Sequence, residues 1–133
     1  MLVKDFMTSM IITADVEALV TDAAKLMAVE SVGSLIVTRD DVLAGMVTRR
    51  EIVAAQLLSE ESYHTLTLGD IMETPVVTIS PHAELGQALS LMNQTERSHI
   101  PVMEGDEITG VISASDVIRA LATLKLLATG AEE

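Results

Sequence analysis

The sequence contains itself twice. Displaced by 65 residues, the stretch from Asp5 to Val53 lies on the stretch from Asp70 to Ile118 without a gap. Identical pairs in this register include Asp5/Asp70, Met7/Met72, Thr13/Thr78, Val37/Val102, Asp41/Asp106 and Gly45/Gly110. A second set, Ala18/Ala83, Ala23/Ala88, Leu26/Leu91 and Met27/Met92, has offsets that fall within one face of a helix. Apolar character is kept at Ile11/Val76, Ile12/Val77, Val47/Ile112, Ile52/Val117 and Val53/Ile118. Scattered identities arise by chance, but an ungapped register that also keeps periodicity marks a duplication. Whatever one copy folds into, the chain builds twice.

Each copy predicts the order β-α-β-β-α. A short β-branched strand is expected at residues 11–13 and again at 76–79. A helix follows, with Asp15 expected as its cap in copy one. In copy two the expected cap is Ser80, with Pro81 at the first helical position. Strands at 34–38 and 42–47, repeated at 100–103 and 107–112, flank acidic turns and form hairpins. Thr48 or Ser113 then opens a second helix. One unit of about 50 residues has little core of its own, so two packed together are the expected minimum. The expected boundaries are copy one at 1–57, a linker at 58–67, copy two at 68–128 and an acidic tail at 129–133.

Composition removes several functions. The chain has 133 residues, no Cys, no Trp, one Phe and one Tyr. It therefore has no disulfide framework, thiolate metal cluster or cysteine nucleophile. A formal net charge of -12 argues against a nucleic-acid binder, which grips phosphates with Lys and Arg, and the lack of aromatics removes a base-stacking platform. No stretch reads as a signal peptide, and the most apolar one, 117–128, falls short of the roughly 20 residues needed to span a bilayer. The expectation is a cytoplasmic protein with no membrane contact. His64, His82 and His99 lack metal-ligand spacing, and no nucleophile has a base beside it, so no enzyme activity or metal site is expected. The Met residues, which repeat at core positions, read as core filling.

The chemistry concentrates where the last strand of copy two meets its helix. A strand running into a helix leaves free N–H groups at a positive dipole end, a ready anion site. Ser113 and Ser115 add hydroxyls there, and the carboxylate of Asp116 can accept from a vicinal diol. The same Ser-x-x-Asp spacing also caps a helix with no ligand at all, and the two roles are compatible. Copy one has Thr48-Arg49-Arg50-Glu51, the Thr-x-x-Glu of a capping box. Arg49, Arg50, Arg97 and Arg119 are four of only eight Lys and Arg, and they fall near these strings.

These strings, in this order, resemble a cystathionine-β-synthase (CBS) domain pair. They are Asp70-Ile-Met-Glu-Thr-Pro-Val-Val-Thr-Ile-Ser-Pro, His99-Ile-Pro-Val and Gly110-Val-Ile-Ser-Ala-Ser-Asp116, with Asp5-Phe-Met, Val32-Gly-Ser-Leu-Ile-Val and Gly45-Met-Val-Thr-Arg-Arg-Glu51 in copy one. The resemblance covers nearly the whole chain. It implies an α/β fold: two tandem β-α-β-β-α repeats packed by pseudo-two-fold symmetry, with small mixed sheets flanked by helices. It further implies a regulatory sensor that binds AMP, ADP, ATP or S-adenosylmethionine in the cleft between the repeats and requires no other cofactor. In copy two it assigns Ser113 to phosphate, Asp116 to ribose, and Thr78, Ile79 and Pro101 to the base. His99 falls near the phosphates, and Ile112 and Ser115 belong to the same strings. Thr48 and Glu51 are the matching residues of copy one, where Glu departs from the family's Asp.

The final helix is apolar on more than one face, as a surface helix of a monomer is not, which predicts a homodimer. With no residues left outside the pair, output is expected in trans, on an effector protein that the sequence does not identify. The alternative is a structural dimerisation scaffold with degenerate ligand sites.

Overall fold

The structure, a computed structural model, describes residues 1–130, with side chains to residue 128; the acidic tail Ala131-Glu132-Glu133 lies outside the described residues. The chain divides into two units that cut across the two copies. The central unit is Ile11–Val76, and the terminal unit joins Met1–Met10 to the chain from Val77 onward. Each has its own hydrophobic core.

In the central unit β1 (Thr13–Asp15) runs parallel to β2 (Ser34–Arg39), which pairs antiparallel with β3 (Val42–Thr48). The β2–β3 turn is Asp40-Asp41, with φ of 51° and 64°. Two consecutive left-handed residues give the turn whose twist suits a hairpin. Helices α2 (Val20–Glu30) and α3 (Arg49–Gln56) pack on this sheet. In the terminal unit β4 (His99–Glu104) and β5 (Glu107–Ser113) form the equivalent hairpin, turning at Gly105 with φ 61°. Ile79 makes a parallel bridge to Val102 where β1 has its counterpart. Helices α6 (Leu85–Thr95) and α7 (Ala114–Gly130) complete this unit. Residues 58–67, read from sequence as a linker, carry a short helix, α4 (Glu60–Thr65), capped by the Ser59 hydroxyl.

The first long helix of each copy starts five residues later than the expected caps, at Val20 and Leu85. Asp15 and Ser80 instead close small turns, accepting from the N–H of Glu17 at 2.8 Å and of His82 at 3.1 Å. The delay has a physical reason. It leaves the carbonyls of Val16 and Ala18, and of Pro81 and Ala83, free of helix bonding, and each accepts an N–H from a segment elsewhere in the chain.

Those segments are the leaders that precede each copy: α1 (Val3–Phe6) with its flanks, and α5 (Leu68–Ile71) with its flanks. The N–H groups of Leu68 and Gly69 donate to Ala18 and Val16, both at 2.9 Å. At the matching positions, the N–H groups of Val3 and Lys4 donate to Ala83 at 2.9 Å and Pro81 at 3.0 Å. Each leader thus docks on the other copy's residues. Val3 and Leu68 are fully buried in the cores they join. Asp5 and Asp70, identical across the repeat, accept from the N–H of Leu2 and Thr67 and so close the two leader helices.

The repeated Met and Gly residues are explained by the same exchange. Met72 lies over Gly45, and Met7 lies over Gly110. A Cβ on Gly45 would meet first the Met72 side chain, which has rotatable bonds through which to give way. On Gly110 it would stand 2.7 Å from the Thr8 carbonyl oxygen, which accepts from the Val111 N–H. Gly110→Ala is therefore expected to cost about 1–3 kcal/mol in urea unfolding, the usual range for overpacking. Gly45→Ala should cost clearly less.

Candidate functional site

The candidate site is assembled on three adjacent strand segments of the terminal unit and the helix that follows them. The N–H of Ile79 donates to the Pro101 carbonyl at 3.1 Å, and the N–H of Met103 donates to the Ile79 carbonyl at 2.9 Å. That places Thr78 and Ile79 beside β4. Across β4, His99 faces Ser113, Ile100 faces Ile112 and Pro101 faces Val111. Thr78 and Ser115 are exposed, Ile79, His99 and Ser113 are half-buried, and Pro101 is buried. The Ile112 side chain is fully buried in the core, so a ligand can meet this residue only through its main chain. Ser98, not singled out from sequence, fastens the end of the hairpin. Its carbonyl accepts the Ala114 N–H at 2.9 Å, and its hydroxyl lies 3.1 Å from Nδ1 of His99.

Asp116 is the centre of the site and is only 2% exposed. Its Oδ2 accepts the Ser113 N–H at 2.8 Å, while its own N–H donates to the Ser113 hydroxyl at 3.1 Å. These are the reciprocal bonds of a capping box. Its other oxygen, Oδ1, is held by the guanidinium of Arg119, one turn along α7 and 68% exposed. A buried carboxylate needs such partners, since an uncompensated charge in the interior is strongly destabilising. Arg119 is one of the cations near the motif. The specific signal was Asp-x-x-Arg, a spacing that puts two side chains on one helix face.

The corresponding corner of the central unit is organised differently. Oε1 of Glu51 accepts both the Thr48 N–H, at 2.7 Å, and the Thr48 hydroxyl, at 2.8 Å. The Thr48 oxygen in turn accepts the Arg50 N–H at 3.3 Å. Glu51 is folded back on its own cap, and Thr48 is buried. Ser34 stands where the other unit has His99, and Ala54 where it has Arg119. Arg49 is exposed and lines a groove of about 370 Å³ with Met27, Val32, Ile52 and Val53.

A comparable groove of about 270 Å³ in the terminal unit is lined by Leu85, Leu89, Val117, Leu121 and Leu124. Beyond it α7 exposes Ile118, Leu126 and Leu127, each by about two thirds. His82 lies 3.6 Å from Glu104 on the surface, and Nδ1 of His64 lies 2.7 Å from the Glu60 carbonyl. Among the described residues no group of His, Cys, Asp or Glu is placed to hold a metal ion, and no helix is long and apolar enough to cross a membrane.

Two α/β units, each with a hairpin leading into a capped helix and each completed by the other copy's leader, define a tandem-repeat module with a polar strand-to-helix corner in each unit. Comparison with known proteins gives the class its name. The CBS domain matches at residues 3–58 and again at 68–123, and the chain belongs to the CBS-domain family.

Among its relatives, the mitochondrial CBS domain-containing protein CBSX3 of Arabidopsis thaliana is 33% identical over 107 residues, which is 77% of this chain and 52% of that protein. YhcV of Bacillus subtilis is 29% identical over 115 residues, covering 86% of this chain and 81% of YhcV. The chain thus spans about half of the first relative and most of the second. Among solved structures, a CBS-domain protein of Agrobacterium tumefaciens superposes with a TM-score of 0.81 at 25% identity, over 90% of this chain and 92% of that one. The hexameric CBS-CP12 protein of bloom-forming cyanobacteria gives 0.79 at 31%, over 89% and 69%. The CBS domain pair of protein MJ0100, solved with 5′-methylthioadenosine and S-adenosyl-L-methionine, gives 0.82 at 22%, over 92% and 97%.

The central corner is expected to act as a cap. Thr48→Ala should lower unfolding stability by about 0.5–2 kcal/mol, the usual loss at such a cap. It should leave any ligand binding at the terminal unit unchanged in a calorimetric titration.

Proposed function

We propose that this chain is a non-catalytic regulatory sensor that binds an adenine nucleotide or related adenosyl ligand in its terminal unit and acts on an effector protein in trans. The observation that carries this reading is the convergence of Thr78–Ile79, His99–Pro101 and Ser113–Asp116 on one corner, with a buried carboxylate behind a helix start. Ser113 and Ser115 offer hydroxyls, and the start of α7 offers the positive end of its dipole, to a phosphate. Asp116 offers an acceptor to ribose hydroxyls. Thr78 and Ile79, the latter hydrogen-bonded to the buried Pro101, offer a largely aliphatic wall to the base, so the lack of aromatics is no obstacle. Thr48 and Glu51 serve as a helix cap rather than as a second binding corner. The adenosyl ligands of the MJ0100 pair support the reading at the level of the fold.

A homodimer is part of the proposal, supported by the apolar side chains that α7 leaves exposed and by the hexameric assembly of the CBS-CP12 protein. The second reading, a dimeric scaffold without ligand, is favoured by the self-satisfied Thr48–Glu51 corner.

Thermal unfolding with AMP, ADP, ATP, S-adenosylmethionine and NAD separates the two. A ligand present at 100 times its Kd should add about 2.7 kcal/mol of stability to the wild type. Asp116→Ala should abolish that gain. No stabilisation by any of the five at millimolar concentration, with the dimer intact in sedimentation, would leave the scaffold.

A further inference from the structure

We infer that Arg119 makes this site select a phosphate-bearing adenosine ligand, by exchanging Asp116 for the ligand's phosphate as its partner. The inference rests on the adenosyl-sensor reading above and narrows its ligand class. In the structure the inner oxygen of Asp116, Oδ2, is committed to the Ser113 N–H, and Oδ1 is held by the Arg119 guanidinium. A ribose diol needs an acceptor-only carboxylate. Asp116 is 2% exposed and Arg119 is 68% exposed, so a diol that takes Oδ1 displaces the surface guanidinium from it.

The diol's O–H groups replace the lost bond on Asp116, but the guanidinium is left without its anion. Side chains on a helix lean toward its N-terminus, so the freed Arg119 head reaches back over the first turn of α7, past Ser113 and Ser115. A lone cation there is opposed by the helix dipole. A phosphate there is favoured by the dipole, by the Ser113 and Ser115 hydroxyls and by a charge-assisted, fork-shaped pair with arginine. A neutral nucleoside displaces the guanidinium and gives it nothing in return. A sulfonium ligand brings a second positive charge to the same place. The central unit has Ala54 at the matching position and its Glu51 is turned onto Thr48, so it has no such exchange.

Isothermal titration of AMP, adenosine and S-adenosylmethionine into the wild type, Arg119→Ala, Arg119→Gln and Arg119→Lys tests this. The wild type should bind AMP about tenfold or more tighter than adenosine, the scale of one hydrogen-bonded charge pair, and should bind S-adenosylmethionine weakest. Arg119→Ala should weaken AMP and tighten adenosine, bringing their ratio close to one, and Arg119→Lys should keep part of the preference. If Arg119→Ala fails to fold, Arg119→Gln, which retains an uncharged donor for Asp116, should show the same loss of preference. An AMP-to-adenosine ratio unchanged in folded Arg119→Ala or Arg119→Gln overturns the inference alone, as does a wild type that prefers S-adenosylmethionine. A wild type that binds none of the three overturns the sensor reading and this inference with it.

Discussion

The hydrogen bonds between Thr8 and Val111, closed over Gly110 by Met7, are the constraint on which the candidate site depends. They tie the first residues of the chain to β5 two residues before Ser113. On the far side of β5, Val111 faces Pro101, and Pro101 accepts from Ile79. One row of main-chain bonds therefore runs from the N-terminal leader through β5 and β4 to the segment expected to meet the base. The bond between Glu73 and Met46, at 2.7 Å, does the same for the central unit. Neither copy completes a unit from its own contiguous residues, so the duplication is required by the fold and is not merely a trace of its history.

Within that frame, the two strand-to-helix corners solve the same problem with different side chains. Every helix start presents N–H groups without partners, and a residue three places on can supply an acceptor. Glu51 is long enough to curl round and spend one oxygen on both donors of Thr48. Asp116 divides its two oxygens between two partners. It lies inward, bonds the Ser113 main chain with one oxygen and leaves the other to an exchangeable surface arginine. What separates the closed cap from the shared carboxylate is the residue one turn on, Arg119 in the terminal unit and Ala54 in the central one.

Much of this was legible in the sequence. The 65-residue register located both hairpins and the strand-to-helix junctions at Thr48 and Ser113, because alternation and turn residues are local signals. The starts of α2 and α6 were not legible. Asp15 and Ser80-Pro81 carry real capping chemistry, but they spend it on a turn whose carbonyls serve a leader from the other copy. That pairing is non-local, and no window of sequence contains it. The Met and Gly identities were visible as pairs, whereas their crosswise contact was not. The capping bonds between Ser113 and Asp116 could be read from their spacing. The Asp-x-x-Arg spacing signals the hold of Arg119 on Asp116, whereas the burial of Ile112 required coordinates.

The central claim is that the corner formed by Ile79, His99 and Ser113–Asp116 receives an adenosyl ligand while the Thr48–Glu51 corner does not. Backbone amide chemical shifts followed by NMR during titration with AMP test it most directly. The account predicts saturable shifts at Ile79, His99, Ser113, Ser115 and Asp116, with Thr48, Arg49, Arg50 and Glu51 unmoved. Shifts centred on Thr48–Glu51, or none at Ser113–Asp116 at saturating AMP, would contradict it.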